Sequence, residues 1–271
     1  MPHGWRPSAV GPPPGASSGT RPPTRPDQAK LLSLSSVHME LSGRVVIITG
    51  ASSGIGAATA RLAHSQGARL VLAARRADRL TLLGAQLPGS LAVPTDVAEA
   101  AQIIRLRDRA LAEFGAIDVL VNNAGQGLHV PLTEVDPEDF EAVWRLNVAA
   151  PLQLMQAVLP SMTRQSAGSI VNVSSGTSLM VLPGLGAYAA TKSALNMLSK
   201  VAREEFAAAG VVVSLVYPGI TKSEFHDSLR AGHGPGGAGG RPAAPAELVA
   251  EVILEAVRSG EAEVRVRPPQ L

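Results

Sequence analysis

The chain is 271 residues long and has no cysteine, which excludes a disulfide framework, a thiolate metal site and a cysteine nucleophile. Hydrophobic residues make up 45%, charged residues 17% and aromatics 3%, the profile of a folded, alanine-rich chain with too few rings for a base-stacking platform. The net charge of +2 comes from the first 38 residues, where Arg6, Arg21, Arg25 and Lys30 face only Asp27; the slightly acidic remainder lacks the electrostatic footprint of a nucleic-acid binder, and no apolar run approaches the roughly 18 residues of a membrane span.

Residues 1–38 hold eight prolines and four glycines with no helical or alternating period. Such a segment buries too little apolar surface to offset its ordering entropy, so it is expected to be disordered. It lacks the apolar stretch of a signal peptide, and its prolines argue against the amphipathic helix of a transit peptide. A start codon placed upstream of the natural one is an alternative, because Met39 opens a segment that reads like an N-terminus.

From Leu41 onward, short aliphatic runs alternate with helical stretches. The predicted strands are 45–49, 69–73, 91–93, 118–121, 169–173, 211–216 and 263–266; the helices are 54–66, 98–114, 138–164, 186–209 and 245–258. Near-continuous apolar strands separated by helices imply an α/β fold: one doubly wound parallel sheet of about seven strands, with helices on both faces. The folded part is read as a single domain, 39–271.

The first strand runs into Gly50-Ala51-Ser52-Ser53-Gly54-Ile55-Gly56 and then a helix. Glycines there let the backbone turn sharply and approach a pyrophosphate seated on the helix's free N–H groups. Gly50, Ser52, Ser53, Gly54, Ile55 and Gly56 are the candidate contacts. It is not a triphosphate P-loop, since no Lys-Ser/Thr pair follows. About 20 residues on, where an NAD site presents an acid, the chain reads Ala74-Arg75-Arg76. A guanidinium grips a 2′-phosphate that a carboxylate would repel, so Arg75 favours NADP over NAD. The alternative is that both arginines open a solvated helix beginning near Ala77.

Tyr188 and Lys192 lie four residues apart in a predicted helix, on one face and about 6 Å apart along the axis. An ammonium beside a phenol favours the phenolate, so Tyr188 is expected below its ordinary pKa of about 10, toward the range useful for proton transfer. Ser175 follows an apolar strand at the sheet's carboxyl edge, where a hydroxyl can polarise a carbonyl; Ser174 is its competitor as a turn-capping serine.

With these residues in place, the sequence resembles the short-chain dehydrogenase/reductase family, whose fold is a single Rossmann-type sheet. The likeness spans residues 41 to about 267 and runs through Thr49-Gly50-x-x-x-Gly54-Ile55-Gly56, Asp96-Val97, Asn122-Asn123-Ala124-Gly125, Asn147, Ser175, Tyr188-x-x-x-Lys192 and Pro218-Gly219. The resemblance implies an oxidoreductase interconverting a ketone and a secondary alcohol. It makes Tyr188, Lys192, Ser175 and Asn147 the catalytic set, with Lys192 also holding the nicotinamide ribose and Asn147 positioning a proton-relaying water. Asp96 and Val97, then Asn123, Ala124 and Gly125, match adenosine contacts, while Pro218 and Gly219 match the nicotinamide end. Asp96 has a second reading as a helix cap, and Asn122 reads as sheet support. The chain departs from Pro-Gly-x-x-x-Thr, with Ser223 standing near the place of the threonine hydroxyl.

His64, His129 and His226 show no metal-ligand spacing, so no metal is expected and surface or loop roles are assigned to them. Trp144 fits an apolar helical pattern with Phe140, Val143 and Val148. The glycine-rich run 231–240 reads as a mobile loop, either a passive connector or a lid beside the substrate. The expected partners are a small carbonyl or alcohol substrate and a second copy of the chain, as a homodimer or homotetramer, with no nucleic acid and no membrane. The expected location is cytoplasmic. A non-catalytic dinucleotide-binding sensor or scaffold is the alternative function.

Overall fold

A computed structural model describes residues 39–233 and 243–267. The expectations for residues 1–38 and 234–240 therefore lie outside the described residues.

The chain alternates strand and helix: β1 (Val45–Thr49), α1 (Gly54–Ser65), β2 (Arg69–Ala74), α2 (Ala77–Gln86), β3 (Leu91–Pro94), α3 (Ala100–Phe114), β4 (Val119–Asn122), α4 (Pro137–Trp144), α5 (Ala150–Gln165), β5 (Gly168–Val173), α6 (Gly186–Phe206), β6 (Val211–Tyr217), α7 (Ala246–Ser259) and β7 (Glu263–Arg265). All seven strands are parallel, in the order β3-β2-β1-β4-β5-β6-β7.

Strand alternation sorts the apolar side chains between two cores. In β1, Val46 and Ile48 pack with Ala57, Ala60 and Ala63 of α1 and Ile253 and Leu254 of α7. Val45 and Ile47 face the other way, toward Ile103 and Leu106 of α3 and Leu154 and Met155 of α5. A strand apolar on both faces is stable only when both are covered, and burying each such side chain contributes roughly 1.5–3 kcal/mol. Asp118 fastens the amino ends of β1 and β4 by accepting from Val45 N at 2.8 Å and Arg44 Nη1 at 3.2 Å.

The predicted continuous helix 138–164 is interrupted. Residues Arg145–Ala149 form a π turn between α4 and α5. Asp136 caps α4, accepting from Glu138 N at 2.8 Å, and Pro137 opens it. Trp144 lies 39% exposed rather than packed inside, with its ring 6.1 Å from that of Phe140.

The strand order reverses between β1 and β4, so the crevice at their carboxyl ends is the place where such sheets bind ligands. The turn after β1 and the turn after β4 both open there.

Candidate active site

The turn after β1 needs its glycines. Gly50 has φ +65°, and a Cβ there would lie 2.8 Å from Asn123 Nδ2. A Cβ on Gly56 would meet the Gly50 carbonyl oxygen at 2.3 Å. Ser53 precedes α1 without a side-chain cap, so the first-turn N–H groups are open to an anion. These features fit a pyrophosphate-holding turn.

A polar staple sets that turn against the next one. Thr49 Oγ1 accepts from Asn123 N and Ala124 N, both at 3.0 Å, while Asn123 Nδ2 donates to Thr49 O at 2.9 Å. Asn123 thus uses its side chain to brace the glycine turn. Asn122 supports the sheet as expected, donating to Asn172 Oδ1 at 2.8 Å. Asp96 accepts from Ala98 N at 3.0 Å in the turn that precedes α3, whose cap position is Glu99, so Asp96 does not cap that helix; its neighbour Val97 is buried.

The turn also carries positive charge beyond the Arg75 of the sequence expectation. Arg75 is exposed. Arg76 donates through Nη2 to Ser53 Oγ at 2.7 Å and Ser52 Oγ at 3.0 Å, and through Nη1 to Glu224 Oε2 at 2.9 Å. Arg79 Nη1 reaches the same carboxylate at 2.5 and 2.7 Å. These pairings hold Glu224 below the usual carboxylate range, through its hydrogen bonds with Arg79 and then Arg76, and Glu224 raises Arg79. Sequence reasoning missed Arg79 and Glu224. Arg79 follows Arg76 at helical i, i+3 spacing, a readable signal; nothing local marks a partner 145 residues away.

At the other end of the crevice, α6 carries Tyr188 and Lys192, 6% and 4% exposed. Gly125 lies against Lys192 and Asn147: a Cβ there would come 3.4 Å from Lys192 Nζ and 3.1 Å from Asn147 Oδ1. Lys192 Nζ donates to Val173 O at 2.9 Å. Ser175 sits past β5, where its Oγ accepts from Thr177 Oγ1 at 2.9 Å and faces the Tyr188 phenol, whose ionised form it favours. Ser174 instead donates to Asn196 Oδ1 at 2.5 Å. The two adjacent serines therefore divide the work: one braces α6 and the other faces the tyrosine.

The expected depression of the Tyr188 pKa is overturned. Burial pushes the phenol up to about 12, only partly opposed by the facing Ser175 hydroxyl, and burial lowers Lys192 to about 8. Taking both groups out of water outweighs their mutual influence, because desolvation penalises phenolate and ammonium alike.

Asn147 occupies the π turn. Its Oδ1 accepts from Gln126 N at 3.0 Å, and its Nδ2 donates to Gln126 O at 2.9 Å and to Thr191 Oγ1 at 3.1 Å. It joins α6 to the segment after Gly125, which makes it a positioning residue here. Pro218 O accepts from Gly176 N at 2.8 Å, setting the 218–219 corner beside Ser175, with open space around Gly219. Ser223 lies at the opposite, glycine-turn end, its Cβ 2.9 Å from where a Cβ on Gly54 would stand.

His129, given a surface or loop role from sequence, packs against the tyrosine, and His226 packs against His129. The His129 ring centroid is 5.7 Å from that of Tyr188 and 6.0 Å from that of His226, and the Phe225 ring is 5.7 Å from Tyr188. Burial lowers the His129 pKa below its ordinary value. These residues wall the tyrosine from residues 129 and 225–226, a meeting that local sequence does not announce. Among the described residues no group of three or more potential metal ligands forms.

The family model for short chain dehydrogenase matches residues 44–234. An uncharacterized oxidoreductase of Staphylococcus aureus strain N315 is 32% identical over 234 residues, covering 84% of this chain and 98% of that protein. A metagenomic short-chain oxidoreductase, solved in complex with NADP, superposes with a TM-score of 0.73 at 33% identity, covering 86% of this chain and all of that one. A short-chain dehydrogenase/reductase from Burkholderia phymatum, solved in complex with NAD, gives 0.76 at 30% identity, covering 85% and 91%.

Proposed function

The chain belongs to the short-chain dehydrogenase family, and from that premise we propose that it is an NADP(H)-dependent oxidoreductase interconverting a ketone and a secondary alcohol, with Tyr188 as general acid and base. One observation carries this reading: at the carboxyl edge of the sheet Ser175, past β5, faces Tyr188 of α6, and Lys192, one turn along that helix, lies beside Gly125. A non-catalytic scaffold has no use for that convergence.

The turn at Gly50–Gly56, Asn123–Gly125, Pro218–Gly219 and Lys192 would hold the dinucleotide, whose nicotinamide, when bound, gives or takes the hydride. Tyr188 holds its proton at neutral pH and donates it from Oη to the carbonyl oxygen during reduction. Ser175 Oγ hydrogen-bonds to that oxygen as negative charge develops on it. Lys192, once protonated, stabilises the phenolate left behind. Asn147 fixes the backbone of Gln126 and thereby the wall of the pocket.

NADP over NAD is supported by the two guanidinium groups of Arg76 and Arg79 beside the turn, in place of an acid. A homo-oligomer is supported by the half-exposed apolar side chains Met197 and Val201, one helical turn apart on α6. The working compartment in this reading is the cytoplasm; among the described residues no helix is long and apolar enough to cross a membrane.

The test combines Tyr188→Phe with cofactor titration. The variant should lose turnover by roughly 10²–10⁴-fold while binding NADPH as the unmodified protein does. Unchanged turnover would overturn the assignment of Tyr188, and a preference for NADH would overturn that of the arginines.

A further inference from the structure

We propose that Glu224 is a cofactor-selecting residue: its carboxylate occupies, as a built-in competitor, the Arg76–Arg79 site that a 2′-phosphate would take. The inference rests on the NADP reading and adds a residue of opposite charge to it.

Three observations converge. First, two guanidinium groups from the junction of β2 and α2 close on a single carboxylate, with three contacts between 2.5 and 2.9 Å. Among the described residues, Glu224 is the only carboxylate paired with two arginines. Second, Arg76 is held independently of Glu224, by Ser52 and Ser53 of the glycine turn. The cationic site therefore persists when the carboxylate leaves. Third, Glu224 is delivered onto the turn by its own segment, since the Cβ of the adjacent Ser223 fills the space left open by Gly54. A cavity of about 590 Å³, lined by Ser53, Arg61, Arg79, Glu224 and Glu247, opens at this place and gives a displaced side chain room.

The energetics make the carboxylate displaceable. Both sides of the cluster are 42–45% exposed, so solvent screens each ion pair to the modest value of surface pairs. A phosphate carries up to twice the charge and three acceptor oxygens, with which two guanidinium groups form more charge-assisted bonds than with a carboxylate. NADPH binding is thus an exchange of anions that costs the Glu224 pairs. NADH brings no anion to this position and leaves those pairs intact. Glu224 lowers affinity for NADPH alone and narrows the preference between the two cofactors.

The experiment is calorimetric titration of the full chain and its Glu224→Gln variant with four probes: NADPH, NADH, adenosine 2′,5′-bisphosphate and adenosine 5′-diphosphate. The substitution keeps shape and removes charge at an exposed position. The expected result is roughly fivefold tighter binding of NADPH and of the 2′,5′-bisphosphate, with NADH and the 5′-diphosphate unchanged. Equal weakening of NADPH and NADH would overturn the proposal by making Glu224 a latch that closes the segment over either cofactor. No change with any probe would also overturn it. Arg76→Ala and Arg79→Ala separate the two levels. If they abolish the preference for the 2′,5′-bisphosphate while Glu224→Gln does nothing, the NADP reading stands and the competitor falls. If they leave that preference intact, both fall together.

Discussion

Lys192 Nζ lies 6.0 Å from the centre of the Tyr188 ring and gives its hydrogen bond to the Val173 carbonyl, not to the phenol. The pair is thus coupled through space, with both members buried, and each is driven toward its neutral form. Tyr188 at about 12 is a proton donor throughout the neutral range. Carbonyl reduction is therefore expected to run at neutral pH without ionising the tyrosine. Alcohol oxidation needs the phenolate and should accelerate with rising pH. Initial rates in both directions between pH 6 and about pH 10 check this opposition.

Lys192 also predicts a pH dependence of stability. Its folded pKa of about 8 lies below the unfolded value of 10.5, so between these values the unfolded chain binds more protons. Stability from this group is present above the unfolded pKa and is lost as pH falls through about 8; it rises across the window between them. Urea unfolding of the unmodified protein should show this rise relative to Lys192→Met, which removes the titrating group. Parallel curves for the two proteins would contradict it.

The adjacent serines are expected to fail differently. Ser175→Ala removes the hydroxyl facing Tyr188 and should cut turnover by roughly 10²–10³-fold with little change in unfolding. Ser174→Ala leaves Asn196 Oδ1 without its 2.5 Å donor and should cost about 1–3 kcal/mol of stability, with a smaller effect on turnover. Paired kinetic and thermal measurements distinguish the two.

Gly56→Ala tests the cofactor turn without touching Tyr188, Ser175 or Lys192. Its Cβ would stand 2.3 Å from the Gly50 carbonyl oxygen, so the backbone of the turn must shift. Such overpacking costs about 1–3 kcal/mol, and affinity for both NADPH and NADH should fall about tenfold or more. Unaltered binding of both would remove the turn from the cofactor site.

The sheet was legible in the sequence because its strands are apolar on both faces, which only a doubly covered parallel sheet satisfies. The π turn was not. An uninterrupted helical pattern surrounds Asn147, and the interruption accompanies bonds to Gln126 and Thr191, which lie 21 and 44 residues away. Trp144 likewise fits the apolar period and still lies partly in solvent.

Local chemistry along the chain was enough to identify the glycine turn, the Tyr188–Lys192 pair and the serine after β5, because each depends on neighbours within one turn, helix or strand end. Tertiary structure alone decided the protonation of that pair, the seating of Arg76 on the serines of the turn, and the packing of His129 and Phe225 against the tyrosine with His226 behind them. Burial and charge pairing depend on what the rest of the chain brings close. Glu224 shows the reason most plainly: its two arginines stand 145 and 148 residues before it, and no local pattern encodes that distance.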